Sequence, residues 1–233
     1  MEINPLIVVG TPKAGEGDEQ TVLDNWRRAS ETGIGCVIVN SDGEDPVLTA
    51  PVKQAGGYIY VDPEPPEGLR PNYETESGAE RVAASVNKFD RFYNHDIIIN
   101  VYAKLPMIAA DAIKALLYPL AFPAVDIATL VTPLSDEQWN SEDWIKAEVE
   151  WAERTRVHVL TNSKVGQITK LARRSEELGE REDCVCLTPI YAYKRAALDR
   201  FLRFEPTMRE MEERLEPERA LANNMRVDAI MIQ

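Results

Sequence analysis

Residues 5–11 read PLIVVGT, a short apolar run that stops at a glycine. The run is too short for a free-standing helix, and its β-branched residues face both ways. That pattern marks a strand buried on both faces, the kind a parallel sheet supplies. Working outward, the same kind of stretch returns at 35–40 (GCVIVN), 57–62 (GYIYVD), 96–101 (DIIINV) and 126–131 (DIATLV). Helical spacing fills the gaps. Val22, Trp26 and Ala29 share one face of a helix ended by Gly33, and residues 52–56 close a second helix. Val82, Val86 and Phe89 mark a third helix over 78–89, and residues 107–117 read as a fourth. Strands and helices alternating at this pitch predict an α/β fold with a mostly parallel, doubly wound sheet and right-handed crossovers.

The pattern changes after Pro133. Residues 145–151 (IKAEVEW) alternate strictly, with Ile145, Ala147, Val149 and Trp151 on one face and Lys146, Glu148 and Glu150 on the other. This predicts a half-exposed antiparallel strand, with 156–160 (RVHVL) as its partner across a short turn. The charged stretch 169–183 reads as a solvated helix or loop. Residues 185–193 are extended, 194–204 and 209–223 are two helices, and 225–232 is a last strand. The whole chain reads as one domain, 1–233, with 140–183 as an inserted arm.

Composition removes several classes of function. The chain has 233 residues, 44% of them hydrophobic, enough for a substantial core. Its formal net charge is −13, which repels phosphate backbones and anionic lipid, so nucleic acid and membrane are excluded as partners. The greasy stretch 105–134 is broken by Asp111, Lys114, Pro119, Pro123 and Asp126, so it is not a span. The N-terminus lacks a basic n-region and a cleavage site and reads as the first strand, which points to a cytoplasmic protein. Cys36, Cys184 and Cys186 are an odd set expected to be reduced core thiols, without the partners a structural zinc needs.

In a parallel sheet, ligands are taken outside the carboxyl ends of the strands. The first such loop, 12–20, contains Gly15 and Gly17 but matches no phosphate-binding fingerprint, and Lys13 faces Glu16, Asp18 and Glu19. Ser77 followed by Glu80 is the signature of a capping box. The stretch NVYAKLP, 100–106, offers Lys104 where a hard divalent cation would want a carboxylate. Glu210, Glu213 and Glu216, with Arg219 after them, read as a solvated acidic helix face with local ion pairs.

Four segments in order resemble one family. They are SGAERVAASV (77–86), NVYAKLP (100–106), ATLVTPL (128–134), and IYAYKRAALDRFLRFEPT (190–207) running into EMEERLEPERALANNMRV (210–227). Together they are similar to the 3-deoxy-manno-octulosonate cytidylyltransferases, the CMP-KDO synthetases. The resemblance implies a Rossmann-like, nucleotide-diphospho-sugar transferase-like fold whose antiparallel arm makes a homodimer. It implies attack by the sugar's anomeric hydroxyl on the α-phosphate of CTP, giving CMP-sugar and pyrophosphate, with Mg²⁺ neutralising charge. It assigns Lys13, Ser77 and Gly78 to the nucleotide side and Tyr191, Glu213 and Glu216 to the sugar side.

The chain departs from the family pattern in several places. Its first loop is shorter, with Lys13 as the basic residue. Tyr102 stands where a base-facing glutamine is expected, Lys104 where a metal-binding aspartate is, and Leu187 where a histidine is. The family's glycine-valine-aspartate-threonine segment, with a second metal aspartate, is not met before Gln233. No residue is therefore assigned a catalytic or metal-ligating role, and Mg²⁺ is expected only if the chain is active. The reading that follows is a divergent homologue with a degraded CTP and Mg²⁺ site, non-catalytic or regulatory. Its alternatives are an active enzyme making a CMP-activated acidic sugar for lipopolysaccharide or surface polysaccharide, and a structural dimerisation module.

Overall fold

The computed structural model describes residues 3–11, 19–41, 46–61, 78–102, 108–152 and 163–232. They form two compact units, Met1–Ala110 and Asp111–Gln233. Among the described residues no helix is long and apolar enough to cross a membrane.

The first unit contains β1 (Pro5–Gly10), α1 (Glu19–Glu31), β2 (Cys36–Ser41), α2 (Pro46–Gln54), β3 (Tyr58–Val61), α3 (Gly78–Phe89) and β4 (Ile97–Val101). Its strands lie in the order β3-β2-β1-β4, all parallel, with Leu6 opposite both Cys36 and Ile98. The chain winds outward from β1 through α1 and α2, then returns through α3 to the other side of β1. Right-handed crossovers therefore place α3 on the face opposite α1 and α2, which pack on each other. Leu6, Ile7, Val8 and Val9 are completely buried because helices cover both faces. Gly35 turns the chain into β2 with φ +58°, and a Cβ there would lie 1.7 Å from the carbonyl oxygen of Pro5. Only glycine fits.

The second unit contains α4 (Ala110–Ala115), α5 (Leu117–Leu120), β5 (Ile127–Pro133), α6 (Asp136–Asn140), β6 (Lys146–Trp151) and β7 (Val165–Ala172). Two short 3₁₀ turns follow, then β8 (Cys184–Lys194), α7 (Arg195–Phe201), α8 (Met208–Glu213), α9 (Glu216–Ala222) and β9 (Val227–Met231). The strand order is β8-β5-β9-β7-β6, and β6 also pairs with β8, so the pairings close into a cycle. Among the described residues of this unit only β5 and β9 run parallel; the other pairs are antiparallel.

Three expectations change here. The partner of β6 is Val165–Ala172, part of which was read as a solvated helix or loop; residues 156–160 lie outside those described. The pair β6–β7 is also stitched to β8 and β9; Glu148 and Glu150 keep the expected solvent-facing side, half-buried and exposed, and Lys146 departs from it. A register shift between Glu148 and Val149 breaks its strict alternation, and Lys146 is completely buried. Ala147 and Val149 face the interior of the chain itself, so Val149→Lys would injure the core and not only an interface. Finally, the helix expected over 209–223 is two helices. Arg214 adopts a left-handed conformation (φ 54°), and Pro217 has no N–H to give the carbonyl four residues back, that of Glu213.

Candidate functional site

The sequence-assigned residues fall into both units. Lys13 and Ser77 lie outside the described residues, as does Lys104. Gly78 is the first residue of α3, in the first unit. Tyr191, Glu213 and Glu216 belong to the second.

At the carboxyl edge of the first unit's sheet, β4 ends at Val101 and Tyr102 follows. Tyr102 continues the row that runs through Gly10 and Asn40, because Gly10 lies opposite Asn40 and Val9 opposite Val101. Its ring lies directly on Gly78: a Cβ on that glycine would meet the phenol oxygen at 2.0 Å and Cζ at 2.4 Å. Asn40 faces the same helix, donating from Nδ2 to the carbonyl of Arg81 at 3.0 Å. The first residue of α3 is thus covered by an aromatic side chain.

In the second unit, β8 carries Tyr191 and Tyr193, two residues apart, with ring centroids 6.3 Å apart. The Tyr193 hydroxyl donates to Glu216 Oε1 at 2.8 Å. Tyr191 is wholly buried. Burial pushes its phenol well above the ordinary range; the Glu216 charge adds to the shift and Arg173 opposes it. Tyr191, Glu216 and Arg173 therefore sit within each other's field. The Glu213 carboxylate receives Arg209 Nε at 3.2 Å on Oε1, while its buried Oε2 has no hydrogen-bond partner among the described residues.

Glu210 and Arg219 overturn the reading of a solvated acidic face. Arg219 is fully buried and forms a fork with the Glu210 carboxylate, Nε to Oε2 at 2.8 Å and Nη2 to Oε1 at 2.6 Å. The Arg219 guanidinium also lies 4.6 Å from the Phe201 ring centroid. Leu187, at the expected histidine position, is a buried apolar residue of β8. Cys184 and Cys186 are buried free thiols, and burial raises both; in Cys184 nearby acidic groups add to it, and in Cys186 Lys146 opposes it.

Beside this cluster lies a cavity of about 300 Å³ lined by Glu142, Asp143, Arg173, Arg174, Glu212, Glu213 and Arg214. Sequence reasoning missed its arginines, because Arg173 and Arg174 lay inside the stretch read as solvated. The missed signal was Pro217, which breaks the helix and frees the Glu213 carbonyl that Arg173 Nε now occupies.

The Mg²⁺ implied by the resemblance was tested against the donors present. Stretch 100–106 supplies asparagine, tyrosine and lysine, and among the described residues no three His, Cys, Asp or Glu side chains gather as a metal site. These residues do not fit a hard divalent cation, and no step is derived through one.

No protein-family model matches the chain. It is 31% identical to the 3-deoxy-manno-octulosonate cytidylyltransferase of Paramagnetospirillum magneticum, over 99% of this chain and 90% of that protein. It is 32% identical to the protein of the same name from Nitrobacter hamburgensis, over 96% of this chain and 79% of that protein. Among solved structures it is similar to a CMP:2-keto-3-deoxy-manno-octonic acid synthetase complexed with CTP, with a TM-score of 0.76 and 21% identity over 98% of this chain and 90% of that one. It also shares its fold with a 4-diphosphocytidyl-2C-methyl-D-erythritol synthase from Anaerococcus prevotii, with a TM-score of 0.58 and 9% identity over 100% of this chain and 90% of that one.

Proposed function

The chain belongs to the 3-deoxy-manno-octulosonate cytidylyltransferase family, and from that premise we propose that it is a divergent member. In this reading it keeps the sugar side of the site and has lost Mg²⁺-dependent handling of CTP. Its role is then non-catalytic or regulatory, exercised through binding of an acidic sugar.

One contact carries the reading. Tyr102 lies on Gly78, so the first turn of α3 is overlaid where the resemblance puts the nucleotide. Lys104 adds a positive charge where a metal carboxylate is expected but cannot coordinate an ion. By contrast, the buried Tyr191 and Tyr193 form a connected group with the half-buried Glu216 in the second unit.

The intact sugar-side group also favours a second reading, an active nucleotidyltransferase that makes a CMP-activated acidic sugar with a rebuilt phosphate site. Thermal-shift titration separates the two. A ligand at a hundred times its Kd stabilises by about 2.7 kcal/mol, which is a shift of several degrees. The first reading expects no shift with millimolar CTP, with or without Mg²⁺, and a shift with 3-deoxy-manno-octulosonate. A CTP shift followed by pyrophosphate release with both substrates establishes the active enzyme instead.

A further inference from the structure

Four consecutive backbone carbonyls, those of residues 141–144, are each taken by a cationic side chain. Lys146 Nζ donates to Ser141 O at 2.6 Å and to Trp144 O at 3.4 Å. Arg173 Nη1 donates to Glu142 O at 3.1 Å and to Asp143 O at 3.0 Å. The two cations are themselves linked, since Lys146 Nζ also donates to the carbonyl of Arg173. The third anchor is the Glu213 carbonyl, the one that Pro217 leaves free, which accepts from Arg173 Nε.

Lys146 is completely buried, and all three of its ammonium donors are spent on carbonyls. Burial pulls its ammonium below the ordinary range, with Glu142 and Glu176 only partly offsetting this, and an apolar side chain of similar length would fill the same space more cheaply. What the lysine and the arginine achieve is geometric. A segment with no strand or helix bonds of its own is tied at every carbonyl to the end of β7 and to the turn between α8 and α9. These same pieces, Glu142, Asp143, Arg173 and residues 212–214, make up the wall of the 300 Å³ cavity.

We propose that Lys146 and Arg173 are positioning residues that hold segment 141–144 as a fixed wall of this cavity. Resting on the functional reading above, the wall serves binding of the sugar acid. Neither side chain needs to touch the ligand for this: they act through the backbone they hold.

The test uses the full chain and the variants Lys146→Met, Arg173→Met, Lys146→Arg and Arg173→Lys. Hydrogen exchange followed by mass spectrometry reports the amides of 141–145 and, as a reference, those of β9. Each methionine variant is expected to speed exchange at 141–145 at least tenfold while β9 stays unchanged, and the conservative variants to recover part of the protection. Titration with 3-deoxy-manno-octulosonate is expected to show at least tenfold weaker binding in the methionine variants. Unchanged exchange at 141–145, or equal acceleration at β9, overturns the proposal, as does full sugar affinity in both methionine variants. A wild type that binds no sugar acid overturns the functional reading instead, and exchange alone then decides whether the two cations hold the wall.

Discussion

Gly78 and Tyr102 show how one residue's size sets another's place. Alanine at the first position of a helix is ordinarily harmless, but here its Cβ would sit 2.0 Å from the phenol oxygen. Gly78→Ala is expected to lower stability by about 1–3 kcal/mol, as overpacking does. Adding Tyr102→Ala should return most of that, so a urea double-mutant cycle reads the contact directly. Asp90 gives a second residue-scale expectation. Burial alone would raise its carboxyl. Hydrogen bonds from the Asn94 N–H (2.8 Å) and the His95 N–H (3.0 Å), with the His95 ring, outweigh burial and hold it below the ordinary aspartate range. The unfolded chain therefore takes up this proton more readily than the folded one. The stability it contributes is full above the ordinary value of about 3.9 and is lost as pH falls through the lower folded value. Asp90→Asn should be less stable at neutral pH, and its urea midpoint should vary less than the wild type's between about pH 5 and pH 2. The helical spacing of 78–89 was legible in the sequence. The contact between 78 and 102 was not, because it joins a helix start to a strand end.

At the scale of elements, α8 and α9 are the instructive pair. Pro217 and the left-handed Arg214 separate them, and the buried Glu210–Arg219 fork then ties them together across the break. Removing one partner leaves the other charge buried and alone, so Arg219→Ala is expected to cost about 3–5 kcal/mol. Replacing both, as Glu210→Met with Arg219→Met, should cost less than Arg219→Ala. Urea denaturation of the two variants checks both statements. Spacing in the sequence put Glu210, Glu213 and Glu216 on one helix face and read it as solvated. Glu210 is buried, and Glu213 and Glu216 only half-buried, because the turn at 214–215 folds α9 back onto α8 and Leu215, fully buried, pins it. β6 gives the same lesson: its alternation announced a strand, while its pairing with both β7 and β8 decided that Lys146 would be interior.

At the scale of the molecule, the chain is expected to act as one domain and as a homodimer through the 140–183 region. Calorimetry should then give a single transition with equal calorimetric and van't Hoff enthalpies, and light scattering should give twice 26.2 kDa. Two resolved transitions would contradict the first expectation, and a monomeric mass the second. Local patterning along the chain was enough to read the alternation of strands and helices, the parallel sheet of the first unit, and the family. These follow from periodicity and segment order, which are local properties repeated along the chain. Tertiary structure alone decided which charges are interior: Lys146 reaching the carbonyl of Arg173, Arg173 reaching that of Glu213, and Arg219 reaching Glu210. A side chain's charge is written in the sequence, but the donors and acceptors that make its burial tolerable come from distant elements. Only the folded chain brings them within hydrogen-bonding distance.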